Sequence, residues 1–366
     1  MQIDLEMPAL AGQLIIGGFA GSTLPTTFAR ELAAKRRGGA ILFKRNLPSV
    51  PEAADLCAAI LEASPRDMPP FIAVDQEGGR VVRVPPPALK LPPMRELAAM
   101  GDLDLVMATA KAVGTELAAI GFNLNFAPVL DVNTEAENPV IGDRAFGSDT
   151  RTVMRFGIAY VRGLQQANVL ACGKHFPGHG DTRADSHHDL PVVAHPRSRL
   201  DQIDLPPFRA AIGAGIAALM SAHVVYERIE AGVPATLSRS ICASLLRAEL
   251  GFEGVLFSDD LEMKAIAARW PIEDAAVEAV WAGCDAVIVS SDEDAQSRAH
   301  EALTRAAEKD PRFRVRCIEA VSRLLKLRRL CPPRPITTRE GLAAVVGGAA
   351  SQEVLRRIAE RKNEGG

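Results

Sequence analysis

Eight short apolar runs, at residues 14–19, 40–43, 71–75, 123–128, 169–176, 218–223, 255–260 and 286–290, recur along the chain with longer helix-patterned segments between them. Strand-length runs separated by helical stretches read as βα units, which build a parallel sheet with crossover helices. Eight such units over roughly 300 residues predict an α/β fold of the (β/α)8 TIM-barrel type, whose usual size is about 250 residues. A doubly wound open sheet is the alternative. Helix punctuation agrees with the spacing. Ser49-Val-Pro-Glu52 is a capping box opening a helix through Ala63, Ser238 caps a helix that Gly251 closes, and two more run from about 102 to 120 and from about 149 to 166.

A barrel makes a demand on the sequence, because its active groups belong at the C-terminal ends of the strands. The demand is met repeatedly: Asp75 ends the third run, Asp131 follows the fourth, Lys174-His175 ends the fifth, His223 the sixth and Asp259-Asp260 the seventh. Charged and imidazole groups at the ends of buried apolar strands are costly unless paired or functional. We therefore expect one catalytic barrel domain over residues 1–330. Beyond it, Cys331-Pro-Pro-Arg-Pro335 breaks the pattern, and residues 331–366 read as a C-terminal helical extension or tail.

Charge and composition narrow the partners. Lys+Arg 42 against Asp+Glu 45 leaves a net charge of −3, too weak a field to draw the chain to nucleic acid or an anionic membrane. The apolar stretch at 210–220 is broken by Gly213 and Gly215 and falls short of the roughly 20 residues a membrane span needs. Acids in Met1-Gln-Ile-Asp-Leu-Glu6, where a secretory signal carries bases, predict a cytoplasmic protein. Six cysteines without a C-x-x-C pair read as reduced, structural thiols.

The densest chemistry is Lys174-His-Phe-Pro-Gly-His-Gly-Asp181 running on to Asp189, with four histidines and three aspartates in one post-strand loop. A metal reading of His175 and His179 needs a helix to bring the rings together, and Pro177 between Gly178 and the strand opposes one. No phosphate-binding glycine pattern is present. Acid/base work remains: Asp185-Ser186-His187 supplies an imidazole, which titrates near ~6.5 when unperturbed, with a carboxylate to orient it. Taken alone, an Asp-x-His is more often a solvated loop pair. Here a second carboxylate, Asp259, stands at another strand end.

Four blocks now resemble glycoside hydrolase family 3, and within it the bacterial β-N-acetylglucosaminidases of peptidoglycan recycling. They are Val74-Asp-Gln-Glu-Gly-Gly-Arg-Val81, Asn138-Pro-Val-Ile-Gly-Asp-Arg-Ala-Phe-Gly147, Lys174 to Asp181 continuing to Asp185-Ser-His187, and Phe257-Ser-Asp-Asp-Leu-Glu-Met263. The likeness spans about residues 10 to 330 in the family's order. It implies a retaining β-N-acetylhexosaminidase in which Asp259 is the nucleophile, His187 the acid/base and Asp185 its partner. Asp75, Arg83, Arg144, Lys174 and His175 are then sugar-binding residues. Asp260 is the weaker nucleophile candidate, and His179 and His223 keep a structural reading.

The chemistry fits that implication, since glycoside hydrolysis needs one group to protonate the leaving oxygen and another to trap the oxocarbenium-like centre. A histidine is already poised near neutral pH for the first task. The expected substrate is a small carbohydrate or muropeptide, such as N-acetylglucosaminyl-1,6-anhydro-N-acetylmuramic acid and its peptides, with no metal, no cofactor and no obligate protein partner. Two other readings stand beside hydrolysis: phosphorolysis at the same site, because an imidazole does not repel phosphate as a carboxylate does, and an inactive sugar-binding barrel.

Overall fold

The computed structural model describes residues 5–183 and 190–364. Among the described residues ten strands run in chain order as β1 (Ile15–Gly17), β2 (Gly39–Leu42), β3 (Phe71–Val74), β4 (Leu124–Asn125), β5 (Leu170–Phe176), β6 (Val192–Val193), β7 (Ala218–Ser221), β8 (Val225–Tyr226), β9 (Val255–Asp260) and β10 (Ala286–Val289). Eight close into a barrel in the order β1-β10-β9-β7-β5-β4-β3-β2, every pairing parallel. Each of the eight apolar runs overlaps one barrel strand, β2 beginning one residue before its run, and the closed order settles the architecture as a (β/α)8 barrel rather than an open sheet. The sequence pattern did not reveal β6 and β8, which form a separate parallel pair. Two-residue strands are too short to carry a period.

The barrel is a packed core. Phe257 meets Phe71 and Phe126 edge to face at 5.5 and 5.4 Å, and because β9 neighbours neither β3 nor β4 these contacts cross the interior. The helices form where their caps predict. Asp102 accepts the Leu105 N–H at 2.9 Å at the start of Leu103–Ile120, and Gly121 ends that helix at φ +116, a conformation open to glycine. Asp149 caps Thr150–Gln166 in the same way. At Val50–Ala63, Ser49 accepts the Glu52 N–H, but the Glu52 carboxylate returns to the serine hydroxyl at 2.6 Å, so only half of the box forms.

At the end opposite the strand C-termini, Arg328 from helix Pro311–Leu330 is buried beneath the barrel. It donates to the Gly38 carbonyl and to Gln13 Oε1, each at 2.8 Å, and burial pulls its guanidinium down to about 9. Asp285, at 0% exposure, is held there by Arg247, Arg316 and Arg323. All six cysteines are buried and unbridged, and burial pushes the Cys317 and Cys331 thiols up to about 12 and about 11. The C-terminal residues form two helices, Arg339–Val345 and Ala349–Glu364, packed against Leu103–Ile120. They part at Gly347, whose φ is +71. Among the described residues no helix is long and apolar enough to cross a membrane.

Candidate active site

At the C-terminal ends of the strands lies a cavity of about 330 Å³. Its lining includes Asp75, Glu77, Arg83, Arg144, Lys174, His175, His179, Asp259 and Asp260, with Phe43, Met220 and Met263 as apolar walls. Six of the predicted site residues therefore meet in one place: Asp75, Arg83, Arg144, Lys174, His175 and Asp259. The remaining two, Asp185 and His187, lie outside the described residues.

The turn after β3 is built by the two glycines of its sequence block. Gly78 and Gly79 take φ of +121 and +55, and the Gly78 and Val81 backbones pair in a tight reversal. This turn aims Glu77 inward. Glu77 accepts Arg144 Nε and a terminal Arg144 nitrogen at 2.9 and 2.8 Å, and Lys174 Nζ at 2.7 Å. Lys174 Nζ also donates to Asp75 Oδ1 at 2.7 Å. Burial alone would raise the Glu77 carboxyl, but the Arg144 and Lys174 charges outweigh it and hold Glu77 well below the carboxylate range. In return, Arg144 and Lys174 stay protonated against the burial that opposes their charge.

Glu77 is the residue that sequence reasoning missed. It lay in a quoted block, and its signal was that the carboxylates at 75 and 77 face two deeply placed cations, Arg144 and Lys174, that need them. Gln76 completes the turn, its side-chain oxygen accepting the Arg83 and Val84 N–H groups at 2.9 and 3.1 Å. Arg83 sits with its guanidinium carbon 5.9 Å from the Phe43 ring centre, and its buried Nε has no partner among the described residues. The block at 138–147 is shaped by Asn138, which accepts the Val140 and Ile141 N–H groups and donates to the His179 carbonyl. That turn presents Arg144.

Asp131, at 0% exposure, organises the loop after β5. Its carboxylate accepts the backbone N–H groups of His175 and His179 at 3.1 and 2.7 Å and lies 2.7 Å from His175 Nδ1. An ionised carboxylate there makes Nδ1 the protonated nitrogen of His175. His179 has its Nδ1 2.8 Å from the Thr182 hydroxyl, and burial lowers its pKa to about 4, so the ring is neutral. His223 is fully buried, its ring nitrogens 2.8 Å from Thr236 Oγ1 and 2.9 Å from the Asp260 carbonyl. The His179 ring thus meets a threonine hydroxyl, and the His223 ring a threonine hydroxyl and the Asp260 carbonyl.

The two adjacent aspartates at the end of β9 differ in charge. Burial works against ionisation of Asp259, but His223, His175, the Asp260 N–H and Lys174 overcome it and hold its pKa below the ordinary value. Asp260 lacks such cations. Burial pushes it up to about 7, against hydrogen bonds from Ser290 and the Glu262 N–H. At neutral pH Asp259 is therefore ionised, while Asp260 is only partly so.

Residues 10–327 match the family described as "Glycosyl hydrolase family 3 N terminal domain". A β-hexosaminidase of Thiobacillus denitrificans is 42% identical over 278 residues, covering 74% of this chain and 76% of its own. A family 3 β-N-acetylglucosaminidase from Paenibacillus superposes with a TM-score of 0.88 at 39% identity, covering 98% of this chain and 69% of that one. NagZ from Neisseria gonorrhoeae, solved in complex with N-trifluoroacetyl-D-glucosamine, superposes with a TM-score of 0.80 at 31% identity, over 95% of this chain and 97% of that one.

Proposed function

This chain belongs to glycoside hydrolase family 3 and is a β-N-acetylhexosaminidase, and from that premise we propose that it cleaves terminal N-acetylglucosamine by a retaining mechanism with Asp259 as nucleophile. The observation that carries the reading is Asp259, held ionised at the end of β9 on the wall of a sugar-sized cavity, beside an Asp260 whose carboxyl burial pushes up to about 7. Asp259 attacks the anomeric carbon as the bond to the leaving oxygen breaks, and the protonated imidazole of His187 gives its proton to that oxygen. Water then attacks the glycosyl-enzyme, giving its proton back to His187 and releasing the sugar with its configuration retained. Asp185 orients His187.

Charge balance bears on the substrate. Arg83, Arg144 and Lys174 line the cavity together with Asp75, Glu77 and Asp259, and a lining whose cations are matched by carboxylates suits a neutral sugar better than an anion. Asp75, Arg83, Arg144, Lys174 and His175 hold that sugar through hydroxyl and amide contacts. The aglycone we favour is a 1,6-anhydromuramic acid unit and its peptides, which places the enzyme in cytoplasmic peptidoglycan recycling. Incubation with a 5-fluoro-N-acetylglucosaminyl fluoride, followed by peptide mapping, tests the mechanism. A sugar adduct on Asp259 is expected. Turnover of a chromogenic N-acetylglucosaminide with no adduct on any carboxylate would exclude the covalent route, and product appearing only with added phosphate would replace hydrolysis by phosphorolysis.

A further inference from the structure

Glu116 lies near the C-terminal end of helix Leu103–Ile120, far along the chain from every cavity residue, yet it is 4% exposed. Among the described residues its carboxylate has only uncharged donors. Oε2 accepts the Leu89 N–H at 2.7 Å, while Oε1 accepts the Gly347 N–H at 2.8 Å and the Ser351 hydroxyl. One buried carboxylate thus joins two segments, the loop following Arg83 and the C-terminal helices. A buried carboxylate is expensive to keep, and here it serves neither a cation nor the cavity.

The loop it holds leads straight to the sugar site. Leu89 and Leu91 are buried, and the Leu91 carbonyl accepts the Gly79 N–H at 3.0 Å, beneath the turn that aims Glu77. From the other side Gly347 presses on the same loop: a Cβ there would lie 2.7 Å from the Pro87 carbonyl oxygen. The far end of the segment is held as well, since Lys362 pairs with Glu96 on the short helix Met94–Ala99. That helix touches the second arginine loop through Arg95, which donates to the Gly142 carbonyl at 3.0 Å.

We infer that the C-terminal helices brace the sugar site: Gly347 and Ser351, acting through Glu116, fix residues 85–93 and thereby position Arg83 against the substrate. Glu116 and Ser351 are positioning residues, and the inference rests on the reading of Arg83 as a sugar-binding group. Arg83 is suited to such control. Its backbone N–H is held by Gln76, but its side-chain Nε has no partner among the described residues, so the loop backbone sets where the guanidinium points.

The test measures KM, kcat and melting temperature for Glu116→Gln and Ser351→Ala, with Arg83→Ala and a Glu116→Gln/Arg83→Ala double variant completing a cycle. Arg356→Ala, on the exposed face of the last helix where among the described residues it pairs with Glu353 and Glu360, is the control. Glu116→Gln is expected to raise KM for a chromogenic N-acetylglucosaminide about 5- to 10-fold with kcat within about two-fold. Ser351→Ala, which removes one donor of three, is the milder variant and raises KM about two-fold. In the Arg83→Ala background Glu116→Gln should add little. A lowered melting temperature with unchanged KM would make the helices a stabilising cover and overturn the inference, as would full additivity with Arg83→Ala. If the wild-type chain turns nothing over, the hydrolase reading fails by itself. The cycle is then read on the dissociation constant for N-acetylglucosamine, where the same shifts are expected and an unchanged value refutes the brace.

Discussion

Replacing Glu77 by glutamine isolates what the buried ion network contributes. The carboxylate accepts three hydrogen bonds, two from Arg144 and one from Lys174, at 2.7 to 2.9 Å. Glutamine supplies one oxygen and turns an NH2 toward a donor, so the cluster loses an acceptor and gains a net positive charge away from water. Removing one partner of a buried pair costs about 3 to 5 kcal/mol. Lys174 keeps Asp75, and Arg144 keeps the Val140 carbonyl at 3.0 Å, which puts this case near the low end, about 3 kcal/mol. With an unfolding entropy of about 2.1 cal/mol/K per residue over 366 residues, that is a fall of about 4 °C in melting temperature. Because Arg144 and Lys174 line the cavity proposed to hold the sugar, kcat/KM should also fall, by about 10- to 100-fold. Scanning fluorimetry and hydrolysis of a 4-nitrophenyl N-acetylglucosaminide read the two effects. The pH dependence carries a sign. The folded pKa of Glu77 lies below its unfolded value, so its stabilisation is complete above the unfolded value of about 4.3 and is lost as pH falls below it. The wild type should therefore lose stability on acidification more steeply than Glu77→Gln. A variant that melts within about 1 °C of wild type and keeps its kcat/KM would refute the claim that Glu77 holds both cations in place.

Asp259→Asn should lower kcat at least about 10³-fold while N-acetylglucosamine still binds, as calorimetry would register; retained turnover would move the nucleophile elsewhere. Asp260→Asn should keep most activity, since the asparagine imitates the neutral acid. Burial raises the folded pKa of Asp260 to about 7, so the wild type loses stability as pH rises from the unfolded value toward 7, and Asp260→Asn should gain in relative melting temperature between pH 5 and pH 8. An equal difference at both pH values would contradict that assignment. Asp131→Ala strands two backbone N–H groups and His175 Nδ1 at a buried position, and should cost about 3 kcal/mol or more by denaturant titration. None of the six thiols should react with a bulky disulfide reagent in the native protein, and all should in denaturant.

The barrel was legible because its strands are buried on both faces, which makes each one a continuous apolar run bounded by polar turns. What the runs could not convey lies off that period. β6 and β8 are too short, and the last helical stretch splits at Gly347, where the backbone passes Pro87 closely at positive φ. Among the site residues, Asp75, Lys174, His175 and Asp259 could be found from position alone, as each interrupts or follows an apolar strand at its C-terminal end. Arg83 and Arg144 sit on turns whose shape depends on Gln76 and Asn138, and only the resemblance to a family singled them out.

Glu77 and Glu116 escaped for different reasons that share one cause. Each is a carboxylate whose partners come from distant parts of the chain: Arg144 and Lys174 for Glu77, and Leu89, Gly347 and Ser351 for Glu116. A sequence exposes a buried charge when it interrupts an apolar run, as Asp259 does at the end of β9. Glu77 instead sits in a polar turn and Glu116 on an amphipathic helix, where a glutamate ordinarily faces water. Only the closure of the barrel, which carries β3, β5 and the loop after β4 to one rim, turns the first into the clamp of two cations. The second becomes a link only when the chain returns past the barrel and lays its final helices over Leu103–Ile120. Burial of charge is therefore the point at which tertiary structure adds most to the sequence here: Glu77 is bonded to Arg144 and Lys174 in the cavity wall, and Glu116 to the loop that follows Arg83.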